Sequence, residues 1–320
     1  FFVTGEIVPR LVGLHFTGGN ATGQLPAGDG GGMYIETDRD GDGDIVLLDN
    51  HVYSNTARDG GGVFFAHQVY NATLAGNTFI SNTATRDGGG LAMLSGAYTL
   101  TDNVFSGNTA VNGGGLALEH NDTIARGNVL RANTAQSAGG GLYVIDSALK
   151  VDASVVVSNS AQRGAGLMLI GSRDWRDSAF ANTLVAGNQA VYEGAGVYVS
   201  GARLHLWQAT LAGNTGGDGS ALTIGDWYPR GLATVDVRNA IVATQTVGLK
   251  VNNNSSLEVN GVLWHNVATP LSQVPGASVS IQNALSGDPQ FVNPAAGDYH
   301  LGPSSAARDA GIPNGTLRDF

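Results

Sequence analysis

The chain contains no cysteine, which excludes disulfides, thiol nucleophiles and thiolate zinc sites. Charge is scarce: 13% of residues are Asp, Glu, Lys or Arg, against roughly 25% in ordinary globular domains. Lysine occurs only at Lys150 and Lys250, and the formal net charge is −10. With no basic stripe to meet a phosphate backbone, a nucleic-acid partner is not expected. No apolar run reaches 18 residues, so no segment reads as a transmembrane helix. The chain starts at Phe1 instead of methionine, as expected of a trimmed product whose signal peptide has gone. These features fit an extracellular or cell-surface protein of bacterial type.

Glycine is abundant, with 48 among 320 residues, and it is not scattered. Triplets begin at Gly30, Gly60, Gly88, Gly113 and Gly139, and degenerate copies follow at Gly164, Gly194 and Gly219. The intervals are 30, 28, 25, 26, 25, 30 and 25 residues. An asparagine marker keeps step at Asn55, Asn82, Asn108, Asn133, Asn159, Asn188 and Asn214. A repeat of this length signals a solenoid. Short runs such as "GVFF" and "LYVI", broken by Gly, Asn, Asp and Thr, read as strands and turns instead of helices.

Aligned on the repeat, apolar residues recur at fixed offsets. Val63, Leu91, Leu116 and Leu142 follow the triplets; Val52, Phe79, Phe105 and Leu130 sit three residues before the marker; Leu47, Leu74 and Leu100 sit eight before it. Stacked coils turn these offsets into apolar ladders. The predicted fold is an all-β, right-handed parallel β-helix of nine to ten coils, rising about 4.8 Å per coil. Residues 1–28 form the first coil, 29–285 the solenoid and 286–320 an irregular cap over the last open coil. Glycine serves the corners, where φ is positive or a Cβ has no room. The asparagines form a stack of amides bonding from coil to coil.

"FSGNTA" (105–110) followed by "GGGL" (113–116) resembles the paired repeats of chlamydial polymorphic outer-membrane proteins. "GLHFTGGNA" and "DPQFVNPAAGDYHLGPSSAARDAG" (288–311) resemble bacterial right-handed β-helix repeat proteins of the choice-of-anchor type. The resemblance implies an exported, often adhesive protein. Some relatives with similar C-terminal segments are polysaccharide lyases or glycosidases.

Three groups of residues suggest sites. "DRDGDGDIVLLD" (38–49) has the spacing of a calcium loop, with Asp38, Asp40, Asp42, Asp44 and Asp49 as oxygen ligands and Gly43 at the sharp turn. The same loop also reads as a solvated acidic tip. The insertions "GSRDWRDS" and "GDWYPRG" leave the same strand two coils apart, bringing Asp174, Trp175, Arg176, Asp226, Trp227, Tyr228 and Arg230 to one flank. His205 and Trp207 lie between them in sequence. Aromatic rings with Arg and Asp suit sugar or protein contact, though they equally fold back to cover the flank. Third, the position alternating with the glycine-strand core reads Tyr34, Phe64, Ala92, Ala117, Tyr143, Met168, Tyr198 and Thr223. That is a candidate apolar stripe for contact with other copies or a cell-surface partner, or a ladder covered by neighbouring turns.

Catalysis has thinner support. Glu119, His120 and Asp122 form the densest polar group, and a polar turn explains them as well. The expectation is a non-enzymatic surface protein, structural, adhesive or filament-forming, contacting protein or glycan through its flanks. A polysaccharide lyase or glycoside hydrolase on the same fold is the alternative.

Overall fold

The computed structural model describes residues 1–5, 7–23, 28–37, 44–67, 69–171, 177–225 and 232–313. The chain winds into a parallel β-solenoid of about nine turns. One coil shows the plan. Val63–Phe65 follows the glycine corner, and Asn71–Ala75, Thr78–Ile80 and Thr83–Ala84 come after it. We refer to these as the a, b, c and d strands of a coil. Equivalent strands of successive coils pair in parallel and in register. Among the described residues the a, b and c strands form one wrapped sheet of 26 strands, and the d strands form a second of seven. Among the described residues no helix is long and apolar enough to cross a membrane.

The inward ladders follow the repeat. Leu47 pairs with Leu74, Leu74 with Leu100, and Val151 with Phe180 on the b strands. On the c strands Phe79 stacks on Phe105 with ring centroids 4.7 Å apart and planes 4° from parallel. All are buried in one continuous core. The glycine triplet has two separate causes. Gly60 has φ +58°, and a Cβ there would lie 2.2 Å from Val63 O. Gly61 has no such angle, but its Cβ would lie 2.5 Å from Gly89 O in the next coil.

Asparagine fixes both bends that flank the c strand. At the second bend, Asn82 Nδ2 donates to Asn108 Oδ1 at 3.1 Å and to Val52 O at 2.9 Å, and the pattern repeats from Asn55 to Asn214. A second ladder, which the marker alone does not reveal, runs Asn50, Asn77, Asn103 and Asn128 at the first bend. It lies five residues before the marker in each coil, so the same alignment contains it. The residue preceding each ladder position takes positive φ, as Ser81 (53°) and Asp102 (53°) do.

The described part of the C-terminal segment, residues 287–313, does not lie over the last coil, whose strand Ser278–Ser286 is mostly exposed. Instead Phe291–Asn293 and Asp298–Leu301 form an antiparallel hairpin against the side of the solenoid. Phe291 and Tyr299 pack on the outward column Ala186, Ala212 and Ala243, where small side chains leave room for the rings. Asn239 clamps the end of the segment, accepting from Ile312 N at 2.9 Å and donating to Ile312 O at 3.0 Å.

Candidate functional site

Outward residues of the b strands are not bound by the core repeat, so each coil can carry a different one. Three adjacent b strands, Asp177–Ala181, Arg203–Trp207 and the start of Thr234–Val251, stack with Ala179, His205 and Asp236 in one row. Asp177 sits beside Arg203, and Trp207 beside Arg238.

Asp236 is the centre of this cluster and is only 8% exposed. Its Oδ2 accepts from Trp207 Nε1 at 2.9 Å and meets His205 Nδ1 at 3.2 Å. Its Oδ1 accepts from Arg238 Nε at 3.0 Å. Burial alone would raise its pKa, but the bonds from His205, Trp207 and Arg238 outweigh it and hold the carboxyl at about 2. The other ring nitrogen of His205, Nε2, faces Asp177 Oδ2 at 3.9 Å, and Arg203 Nη1 lies 3.4 Å from Asp177 Oδ1. The His205 and Trp207 rings lie 5.0 Å apart, centroid to centroid. The result is a half-buried surface of indole, imidazole and guanidinium, ordered around one carboxylate whose pKa is held low.

A family model described as a right-handed beta helix region matches residues 27–215. The chain belongs to that family. No curated protein matches it. Among solved structures, a pectate lyase, Pel9A, aligns over 97% of this chain and 94% of its own, with 11% identity and a TM-score of 0.43. A likeness that low carries nothing about ligand or mechanism.

In this right-handed β-helix the apolar stripe is not a surface. Tyr34, Phe64, Met168 and Tyr198 are buried, and Tyr143 is partly so. The reason is the glycine corner. The chain folds back after the d strand, so a Cβ on Gly139 would lie 2.8 Å from Tyr143 Cα and one on Gly194 2.9 Å from Tyr198 Cβ. Asp59, Arg86 and Asp87 line a crevice with Phe64, and Arg58 pairs with Asp29 at 2.7 Å over the same edge. Tyr34 stacks on Phe64 at 5.7 Å, and burial together with its bond to Glu36 pushes the Tyr34 phenol up to about 12. Alternation along the strand is therefore correct, but both of its faces are covered.

The proposed calcium ligands do not all converge. Asp44 and Asp49 flank the extended strand Ile45–Leu48, which separates their backbones by about 16 Å at roughly 3.3 Å per residue. Asp49 therefore cannot close a loop around a cation held at Asp44. Asp38, Asp40 and Asp42 lie outside the described residues. So do Asp174, Trp175, Arg176, Asp226, Trp227, Tyr228 and Arg230. Asp177 is the penultimate residue of the first of these two insertions, and Thr234 closely follows the second.

The weak catalytic group is split. His120 takes positive φ at the a–b corner and lies between Glu119 (Nδ1 to Oε1, 3.4 Å) and Asp146 (Nε2 to Oδ2, 3.6 Å). Asp122 points elsewhere, into a groove of about 420 Å³ on the b flank that Asp44, Thr99 and Lys150 also line. Asp236, Arg238, Arg203 and Asp177 were missed from the sequence. They alternate with the Leu206 and Val237 core positions, and carrying the alignment past Gly219 while reading its outward positions would have exposed them.

Proposed function

We propose that this protein is an exported, non-catalytic β-helix that contacts cell-surface glycan through its b flank. The observation behind this reading is the state of Asp236. Its carboxylate accepts from three donors, which fixes Trp207, His205 and Arg238 in place. A rigid aromatic ring beside a guanidinium suits stacking on a sugar face and bonding to its hydroxyls, with little ordering cost on contact. The resemblance to adhesive surface repeat proteins supports an extracellular setting. The acidic loop, with Asp38, Asp40, Asp42 and Asp44, is proposed to hold calcium.

A glycan array probed with the whole chain tests the reading. Binding that drops at least tenfold in Trp207→Ala and Arg238→Ala, in variants that keep the far-ultraviolet circular dichroism spectrum of the folded parent, supports it. A second reading, a glycan-cleaving enzyme, draws on the run Asp177–His205–Asp236. Incubation with acidic and neutral polysaccharides separates the two. Release of shortened or unsaturated products, abolished in His205→Ala, would replace the binding role with a catalytic one.

A further inference from the structure

The c flank carries a second feature, unrelated to the glycan reading. His15 and His51 are exposed and occupy the same register position on adjacent coils. Their rings lie 4.7 Å apart, centroid to centroid, at an angle of 44°. We propose that they form a two-imidazole site for a late first-row divalent metal ion, with copper(II) held more tightly than zinc.

Three observations carry this. Both imidazoles stand on the same register position of neighbouring rungs, so two nitrogen-bearing rings lie side by side at the spacing of a parallel sheet. Imidazole is a preferred donor for copper, nickel and zinc, and among these copper(II) stands highest in affinity at a given nitrogen site.

The Nδ1 of His51 is already engaged, 2.8 Å from Thr78 Oγ1 on the next coil. With Nδ1–H donated to that hydroxyl, Nε2 is left as the ligating nitrogen. An outer partner of this kind, fixing ring orientation and tautomer, accompanies most metal-bound histidines.

The backbone beneath the pair is also clamped. Leu14 N donates to Asn50 Oδ1 at 3.0 Å, Asn55 Nδ2 donates to Phe16 O at 2.9 Å, and His51 N donates to Leu14 O at 2.8 Å. His15 therefore sits between two anchored residues, one on each asparagine ladder. Two protein ligands leave the remaining positions to water, so the site is open.

Titration of the whole chain with copper(II), followed by electron paramagnetic resonance, tests the proposal. One equivalent should show two equatorial nitrogens. His15→Gln and His51→Gln should each remove that component and weaken the binding at least tenfold. Thr78→Val should keep two nitrogens but weaken binding roughly tenfold, the usual size of an outer-partner loss. Circular dichroism melts, expected to be unchanged because both rings are exposed, show that the fold is intact. A copper signal that persists unchanged in His51→Gln overturns the site. So does a wild-type signal from one nitrogen only, or a four-nitrogen signal that appears with copper-driven dimers.

Discussion

Asn108 Oδ1 accepts two bonds from one residue, from Asn82 N at 2.9 Å and Asn82 Nδ2 at 3.1 Å, while its own Nδ2 donates to Phe79 O and to Asn133 Oδ1. A single amide thus ties three coils and leaves no buried donor idle. Asn108→Ala strands the backbone N–H and an amide N–H of Asn82 together with the Phe79 carbonyl. At about 1–3 kcal/mol for each buried unsatisfied group, the expected loss is about 3 kcal/mol or more. Urea denaturation of the variant measures it. A loss below about 1 kcal/mol would mean that water replaces the ladder.

The Phe79–Phe105 stack lies at the centre of the c ladder. Phe105→Ala opens a cavity there and is expected to cost about 3–5 kcal/mol. Solenoid contacts are made with nearest neighbours, so hydrogen exchange should speed up in the coils around Phe105 and leave distant ones unchanged. Uniform loosening along the chain would contradict the register.

Tyr198 is 1% exposed beneath the Gly194 corner. Tyr198→Asp therefore buries an unpaired carboxylate. The expected effect is unfolding, or a loss of at least about 3 kcal/mol, and not a soluble, folded protein with an altered surface. The circular dichroism melt of the variant decides between them.

Asp236 has a folded pKa of about 2, below its ordinary value of 3.8. A depressed carboxylate contributes stability above its unfolded value and loses it as pH falls through the folded one. Allowing for solvent screening, that contribution is about 1 kcal/mol. Asp236→Asn should be less stable than the parent at pH 7 by about this amount, with the gap closing between about pH 4 and pH 2. Urea midpoints across that range provide the check, and a gap independent of pH would remove the linkage.

Calcium at the acidic loop predicts a rise in melting temperature in millimolar calcium relative to chelator. Asp40→Ala combined with Asp42→Ala should abolish the rise. Asp49→Ala should preserve it, because the Ile45–Leu48 strand carries Asp49 away from the loop. Calorimetry without heat of binding in the parent chain would end the proposal.

The core was legible because inward side chains must repeat. Val52, Phe79 and Phe105 occupy one offset since each packs on the next, and any polar residue there would strand its neighbours. The stripe was misread because alternation tells which face a side chain takes and not what covers that face. Tyr143 and Tyr198 point away from the core ladders, but the returning glycine corner lies over them. The Asp236 cluster escaped for the opposite reason. Nothing requires outward positions to repeat, so Ala179, His205 and Asp236 share a row without sharing a chemistry.

From Asn55 to Asn188 every side-chain amide of the ladder points the same way, donating one N–H to the amide oxygen of the following coil while its own oxygen faces the preceding one. Turning one amide over would set two N–H groups against each other across one gap and two carbonyls across the next. Each orientation therefore dictates its neighbour's, and aligned amides polarise one another. The rod carries an internal arrow, oxygen at its tail and amide hydrogen at its head. Two such rods laid side by side would differ in energy according to whether their arrows ran together or opposed.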